Sequence, residues 1–95
     1  MSGDPKALGD VLSALIDRMG YRKRIDAVRA VEEWAHLAGA PINGVTDKVS
    51  VRNGVLYVHL RSASWRQQLH MQREQWRDRL NARLGSAVIS EIEFR

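Results

Sequence analysis

The sequence predicts an α+β domain in the order helix–helix–strand–strand–helix–strand, its helices packed on one face of a small three-stranded sheet. Three observations carry that prediction. Apolar residues recur at helical spacing in three segments. They alternate singly in two later runs, most cleanly at Leu56, Val58 and Leu60. Asn53-Gly54 then sits between two strand-like runs, where a two-residue hairpin turn needs residues that accept positive φ.

Taken in order, Asp4 is a helix N-cap and Pro5 suits the first helical position, where a missing N–H costs nothing. Leu8, Val11, Leu12, Leu15, Ile16 and Met19 give an amphipathic first helix that stops near Gly20. A second helix is expected over about 22–37. Ala27, Val31, Trp34 and Ala38 share its apolar face, with Val28 and Ala35 beside them. Arg29, Glu32, Glu33 and His36 point away from that face. Gly39 is placed to end this helix in a left-handed conformation, and Pro41 to prevent its return. Residues 45–52 and 55–61 form the hairpin. Ser64 and Gln67 have capping-box spacing, so a third helix is expected over 64–84, ended by Gly85. Residues 87–94 set Val88, Ile92 and Phe94 against Glu91, Glu93 and Arg95, the pattern of a third strand. If that strand runs parallel to the second, the helix between them makes a right-handed crossover.

The 95 residues suit a single small domain, 1–95, without repeat, low-complexity segment or linker. Cysteine is absent, which excludes disulfides and thiolate metal sites. His36, His59 and His70 have no metal-ligand spacing on one helix face, so neither a metal nor a cofactor is expected. The N-terminus lacks a basic region followed by an apolar run, and no apolar segment nears the roughly 20 residues that span a bilayer. The chain is therefore expected to be cytoplasmic and free of membrane. Charge is unevenly distributed. Residues 1–44 hold six basic and six acidic residues, whereas residues 45–95 hold nine basic and five acidic and carry the whole net charge of +4. That asymmetry favours a polyanionic or acidic partner for the second half.

On the third helix Trp65, Leu69, Trp76 and Leu80 form one apolar stripe. Beside it Arg66, His70, Arg73 and Arg77 make a basic ridge, whose guanidinium forks suit phosphate oxygens. The same residues also read as a solvated face whose stems cover the core edge. Trp34, Trp65 and Trp76 all fall on core stripes, which favours packing over stacking on bases. Tyr57 and His59 lie on the strand face away from Leu56, Val58 and Leu60. With Lys48, Arg52 and Arg61 they make a second candidate surface, equally readable as a merely wet sheet face. There is no paired-carboxylate motif, no phosphate-cradling glycine loop and no Ser/His/Asp signature, so catalysis is not expected.

An ordered series of residues adds to this reading. It runs Trp34, Gly39, Pro41-Ile42; then Asn53-Gly54 and the alternating Leu56, Val58, Leu60; then Ser62-Ala63-Ser64-Trp65 and Leu69; then Leu80-Asn81 and Leu84-Gly85; then Val88, Ile92 and Phe94-Arg95. The series resembles the conserved domain of the DciA family, bacterial proteins that assist loading of the replicative DNA helicase. The likeness covers residues 28–95, while 1–27 form an N-terminal helical part with no matched motif. The resemblance implies a KH-like fold, DNA binding, a replicative helicase as partner and a nucleoid-associated location. The Gly-x-x-Gly loop of nucleic-acid-clamping KH domains is missing. The expected function is thus a non-catalytic accessory that binds single- or double-stranded DNA through Arg66, His70, Arg73, Arg77, Lys48, Arg52 and Arg61. The alternatives are a protein-interaction module that binds no nucleic acid, using the apolar first helix to dock, and an RNA-binding KH-like protein.

Overall fold

A computed structural model describes residues 5–18 and 20–95, with the side chains of residues 8–15 and 20–95. Asp4 and Met19 lie outside the described residues, as does the side chain of Ile16. The elements are α1 (Pro5–Arg18), α2 (Tyr21–Gly44), β1 (Thr46–Arg52), β2 (Val55–Leu60), α3 (Ala63–Met71), α4 (Arg73–Leu84) and β3 (Glu91–Phe94). This is the expected α+β order, with the third helix divided in two. The sheet runs β1-β2-β3, antiparallel between β1 and β2 and parallel between β2 and β3. The helices cover one side of it: α2 packs on β1, and α3 and α4 pack towards β3.

The hairpin forms as its turn chemistry requires. Asn53 and Gly54 have φ of 51° and 78°, both in the left-handed region that a type I′ turn demands. Val49 pairs with Val58 and Val51 with Leu56 towards the helices, while Lys48 pairs with His59 and Ser50 with Tyr57 on the other face. The register shifts between Thr46 and Lys48, a bulge that leaves Asp47 over. Arg61 reaches this Asp47 carboxylate and also the carbonyl of Gly44.

The core lies between the sheet and the helices, around Trp34, Leu56, Val58, Leu69, Leu80 and Ile92, all at 1% exposure or less. Trp34 meets the Trp76 ring edge-on at 5.4 Å and the Phe94 ring at 5.7 Å, within the range of attractive ring contacts. Its indole N–H is buried without a hydrogen-bond partner among the described residues, so ring packing rather than a polar anchor fixes it. Trp65 and Trp76 are half-buried against the same core. All three tryptophans therefore pack, as their periodicity indicates.

Five local expectations are corrected. The second helix does not stop at Gly39 but kinks there, with φ 80° and ψ 176°, and a short helical segment resumes. Pro41 falls in the first turn of that segment, where proline is tolerated, and the resumed turn carries Ile42 into the core. Asn43 donates from Nδ2 to the Ala35 carbonyl at 2.8 Å, tying the two limbs together. The buried face of α2 is also rotated from the expected one. Ala30 and Trp34 are buried, whereas Val28 and Ala35 are exposed. Contact with β1 and α4 sets this rotation: Arg29 donates to the Leu84 carbonyl at 3.3 Å, and Arg83 pairs with Glu33 at 2.8 Å, so two residues expected to point away lie along the α4 seam.

The third helix begins one residue early, at Ala63. Ser62, with extended backbone, accepts the Trp65 N–H on its Oγ at 3.3 Å and is the N-cap in place of Ser64. That helix is interrupted at Gln72, giving α3 and α4. Finally, the third strand spans Glu91–Phe94 rather than 87–94. Asn81 explains the shortening: its side-chain amide donates to the Ile89 carbonyl at 2.8 Å and accepts the Ile89 N–H at 2.9 Å. One side chain thus takes both backbone groups of Ile89 and holds this buried residue against α4, outside any ladder.

Candidate nucleic-acid interface

The seven basic residues singled out from the sequence fall into two groups. Arg66, His70, Arg73 and Arg77 lie on α3 and α4, which pack towards β3. Lys48 and Arg52 lie on β1, at the opposite edge of the sheet, and Arg61 follows the end of β2. The structure does not merge the groups into one patch.

Most of the helical group is engaged by the protein itself. Arg66 is half-buried and donates from Nη2 to the Leu60 carbonyl at 2.9 Å, while its Nε is buried without a partner among the described residues. It holds the end of β2 to the start of α3. Arg73 donates to the His70 carbonyl at 3.0 Å and lies 3.4 Å from the His70 ring Nε2, so both side chains sit at the α3–α4 junction. Arg77 donates to the Asp78 carboxylate at 3.0 Å and towards the Ser90 carbonyl at 3.5 Å. Arg73 and Arg77 line a shallow groove of about 240 Å³ against β3. Glu74 and Glu91 line it too, so its charge is mixed. The junction also carries Met71, at 76% exposure the most exposed large apolar side chain among the described residues.

The hairpin group is freer. Lys48 and Arg52 are exposed and have no hydrogen bond or ion pair among the described residues, whereas Arg61 is held by Asp47 and Gly44. Tyr57 and His59 are half-buried on the same outer face. Arg95 joins them, its guanidinium 4.7 Å from the Tyr57 ring centre and its Nε 3.0 Å from Glu93. The outer sheet face therefore combines cationic and aromatic side chains, with Glu91 and Glu93 on β3 as its acidic members.

Sequence reasoning passed over three basic positions. Arg95 enters the sequence pattern as a polar strand position and as the end of the family-like series, not as a contact residue. Lys23 and Arg24 belong to an α2 turn that lines a groove of about 750 Å³ with Asn53, Gly54, Ser86 and Val88. The signal was present as the consecutive run Arg22-Lys23-Arg24, but the cancelling charge of the first half concealed it. Among the described residues no group of three or more His, Asp or Glu is arranged to hold a metal, and no helix is long and apolar enough to cross a membrane.

The chain is thus a small α+β domain carrying two separate candidate surfaces. Its family is shown by sequence comparison: the model of the family described as "Dna[CI] antecedent, DciA" matches residues 7–94. The chain belongs to the DciA family, which serves bacterial DNA replication and is associated with helicase loading. The match takes in α1 from residue 7, for which the sequence shows no motif, as well as residues 28–94. The chain is also similar to a UPF0232 protein of Corynebacterium glutamicum (strain R), 28% identical over 89 residues. That alignment covers 94% of this chain and 50% of the relative, so the chain spans about half the length of the curated relative it matches.

Proposed function

We propose that this chain is a non-catalytic, KH-like DNA-binding accessory of the replicative DNA helicase, acting in the cytoplasm at the nucleoid. The observation that carries the reading is the family match over residues 7–94. The order helix–strand–strand–helix–helix–strand, with the α3–α4 pair between two parallel strands, supports the KH-like assignment. The outer sheet face is the better of the two candidate DNA surfaces, because Lys48 and Arg52 enter it without surrendering an internal partner among the described residues. His70 at the α3–α4 junction forms a second contact, while Arg73 beside it is already held by the His70 carbonyl. Arg66, Arg77 and Arg61 contribute mainly by shaping the domain, since each already binds a carbonyl or a carboxylate. Contacts of this kind bind phosphates and read no sequence.

Fluorescence anisotropy with labelled single-stranded DNA, double-stranded DNA and RNA, at two salt concentrations and with or without helicase, tests the reading. DNA affinity should fall as salt rises, with a log–log slope of about 0.7–0.9 per phosphate contacted. Lys48→Glu with Arg52→Glu should weaken binding to every DNA sequence alike while leaving the fold intact. Binding that ignores both salt and these two reversals would place the DNA surface elsewhere. Helicase capture without any DNA binding would favour a pure protein-interaction module.

A further inference from the structure

Among the described residues, the large apolar side chains of positions 8–28 lie open. On α1, Leu8, Val11, Leu12 and Leu15 are 50–64% exposed, and on the first turns of α2, Tyr21, Ile25 and Val28 are 44–58% exposed. Beyond residue 28 the described residues include one other large apolar side chain this open, Met71. Among the described residues the core includes none from α1, which packs against α2. Together the seven side chains expose on the order of 700 Å², close to the roughly 800 Å² that each partner contributes to a standard interface. Four apolar side chains aligned on one open helical stripe exceed what isolated surface residues explain.

The segment 8–15 also has an internal symmetry. Outward from the midpoint between Val11 and Leu12, its chemistry repeats in mirror order: Asp10 and Ser13 are polar, Gly9 and Ala14 small, Leu8 and Leu15 large and apolar. At 100° per residue the four apolar residues form one stripe, Gly9 and Ala14 flank it on either side, and Asp10 and Ser13 point away. A two-fold axis through that midpoint lays the stripe on itself. Leu8 then meets the partner's Leu15, Val11 meets the partner's Leu12, and no charge enters the seam. The flanking small residues let the two backbones approach.

From this area and this symmetry we infer that the α1 face, flanked by Tyr21, Ile25 and Val28, is an isologous dimer interface that pairs α1 antiparallel with α1 of a second copy. A closed two-fold contact needs such a self-complementary patch. The inference goes beyond the proposed function, since it depends neither on DNA nor on helicase.

Light scattering coupled to gel filtration, over a concentration series of the whole chain, measures the mass. The expected result is passage from 10.8 kDa to twice that mass as concentration rises. Leu12→Glu should hold the chain at the monomer mass with an unchanged circular dichroism spectrum, because Leu12 lies outside the core. Register is tested by disulfide trapping, which the absence of native cysteine makes clean. An oxidised mixture of Leu8→Cys and Leu15→Cys chains should cross-link. Leu8→Cys alone should not, because antiparallel pairing sets the two copies of position 8 about 10 Å apart along the axis, beyond the ~7 Å Cα separation a disulfide tolerates. A monomer at every concentration overturns the inference, including one whose α1 face instead captures helicase. So does a Leu12→Glu dimer, or self-cross-linking of Leu8→Cys as ready as the mixed reaction.

Discussion

The two parts of this molecule each carry an apolar helical stripe and treat it in opposite ways. Leu8, Val11, Leu12 and Leu15 share one face of α1, and Leu69, Trp76, Leu80 and Leu84 line the inward side of α3 and α4. The second set closes over Leu56, Val58 and Ile92, whereas the first lies open. The dimensions show the consequence. The radius of gyration is 16.8 Å, whereas a compact chain of this length would have about 12 Å. Helical periodicity tells which residues share a face; it does not tell what covers that face. Cover comes from elements distant in sequence, and the sheet supplies it to α3 and α4 but not to α1.

Substitutions on either side of the divide measure the difference. The largest effect is expected at Trp34, which is fully buried and meets the rings of Trp76 and Phe94. Trp34→Ala should cost about 3–5 kcal/mol through lost burial and the cavity left behind, most of the stability of a small domain. Urea denaturation followed by far-UV circular dichroism reads it. A loss below about 1 kcal/mol would mean that the core does not depend on this ring stack.

Asn81→Ala should come next. It removes both hydrogen bonds to Ile89 and leaves that residue's N–H and carbonyl in a half-buried place, at a cost of about 1–3 kcal/mol. Amide exchange should accelerate at Ile89 before it does at Val58. This residue also marks where sequence reading runs out. The ordered motif series included Asn81, but nothing in composition or periodicity tells that its amide would hold residue 89 eight positions on. The alternation of Val88, Ile92 and Phe94 therefore suggested a strand beginning four residues early. The hairpin, by contrast, was legible down to its turn residues, because Asn53-Gly54 determines φ locally. The candidate site was legible as a list of arginines but not as a surface. Whether a guanidinium is spent internally depends on carbonyls that only the fold brings near, such as Leu60 for Arg66 and Ser90 for Arg77.

Ser62→Ala should have a smaller effect, about 1 kcal/mol, the usual cost of losing an N-cap. The same substitution at Ser64 should leave the denaturation midpoint nearly unchanged, because Ser62 and not Ser64 accepts the Trp65 N–H. Equal losses at the two serines would return the helix start to residue 64.

The smallest effect is expected at Leu12, and there it separates two kinds of stability. Leucine and alanine have nearly equal helix propensity, and Leu12 is 52% exposed, so Leu12→Ala should move the unfolding free energy of a dilute sample by no more than about 0.5 kcal/mol. At higher concentration the two proteins should part. Association stabilises the folded state by mass action, so the wild-type midpoint should climb with concentration while that of Leu12→Ala stays nearly flat. Leu80→Ala is the same chemical change in the covered stripe. It should cost about 2–5 kcal/mol at every concentration, because its neighbours belong to the same chain. The distinction between the two leucines is thus who supplies the contact, and concentration is the variable that reveals it.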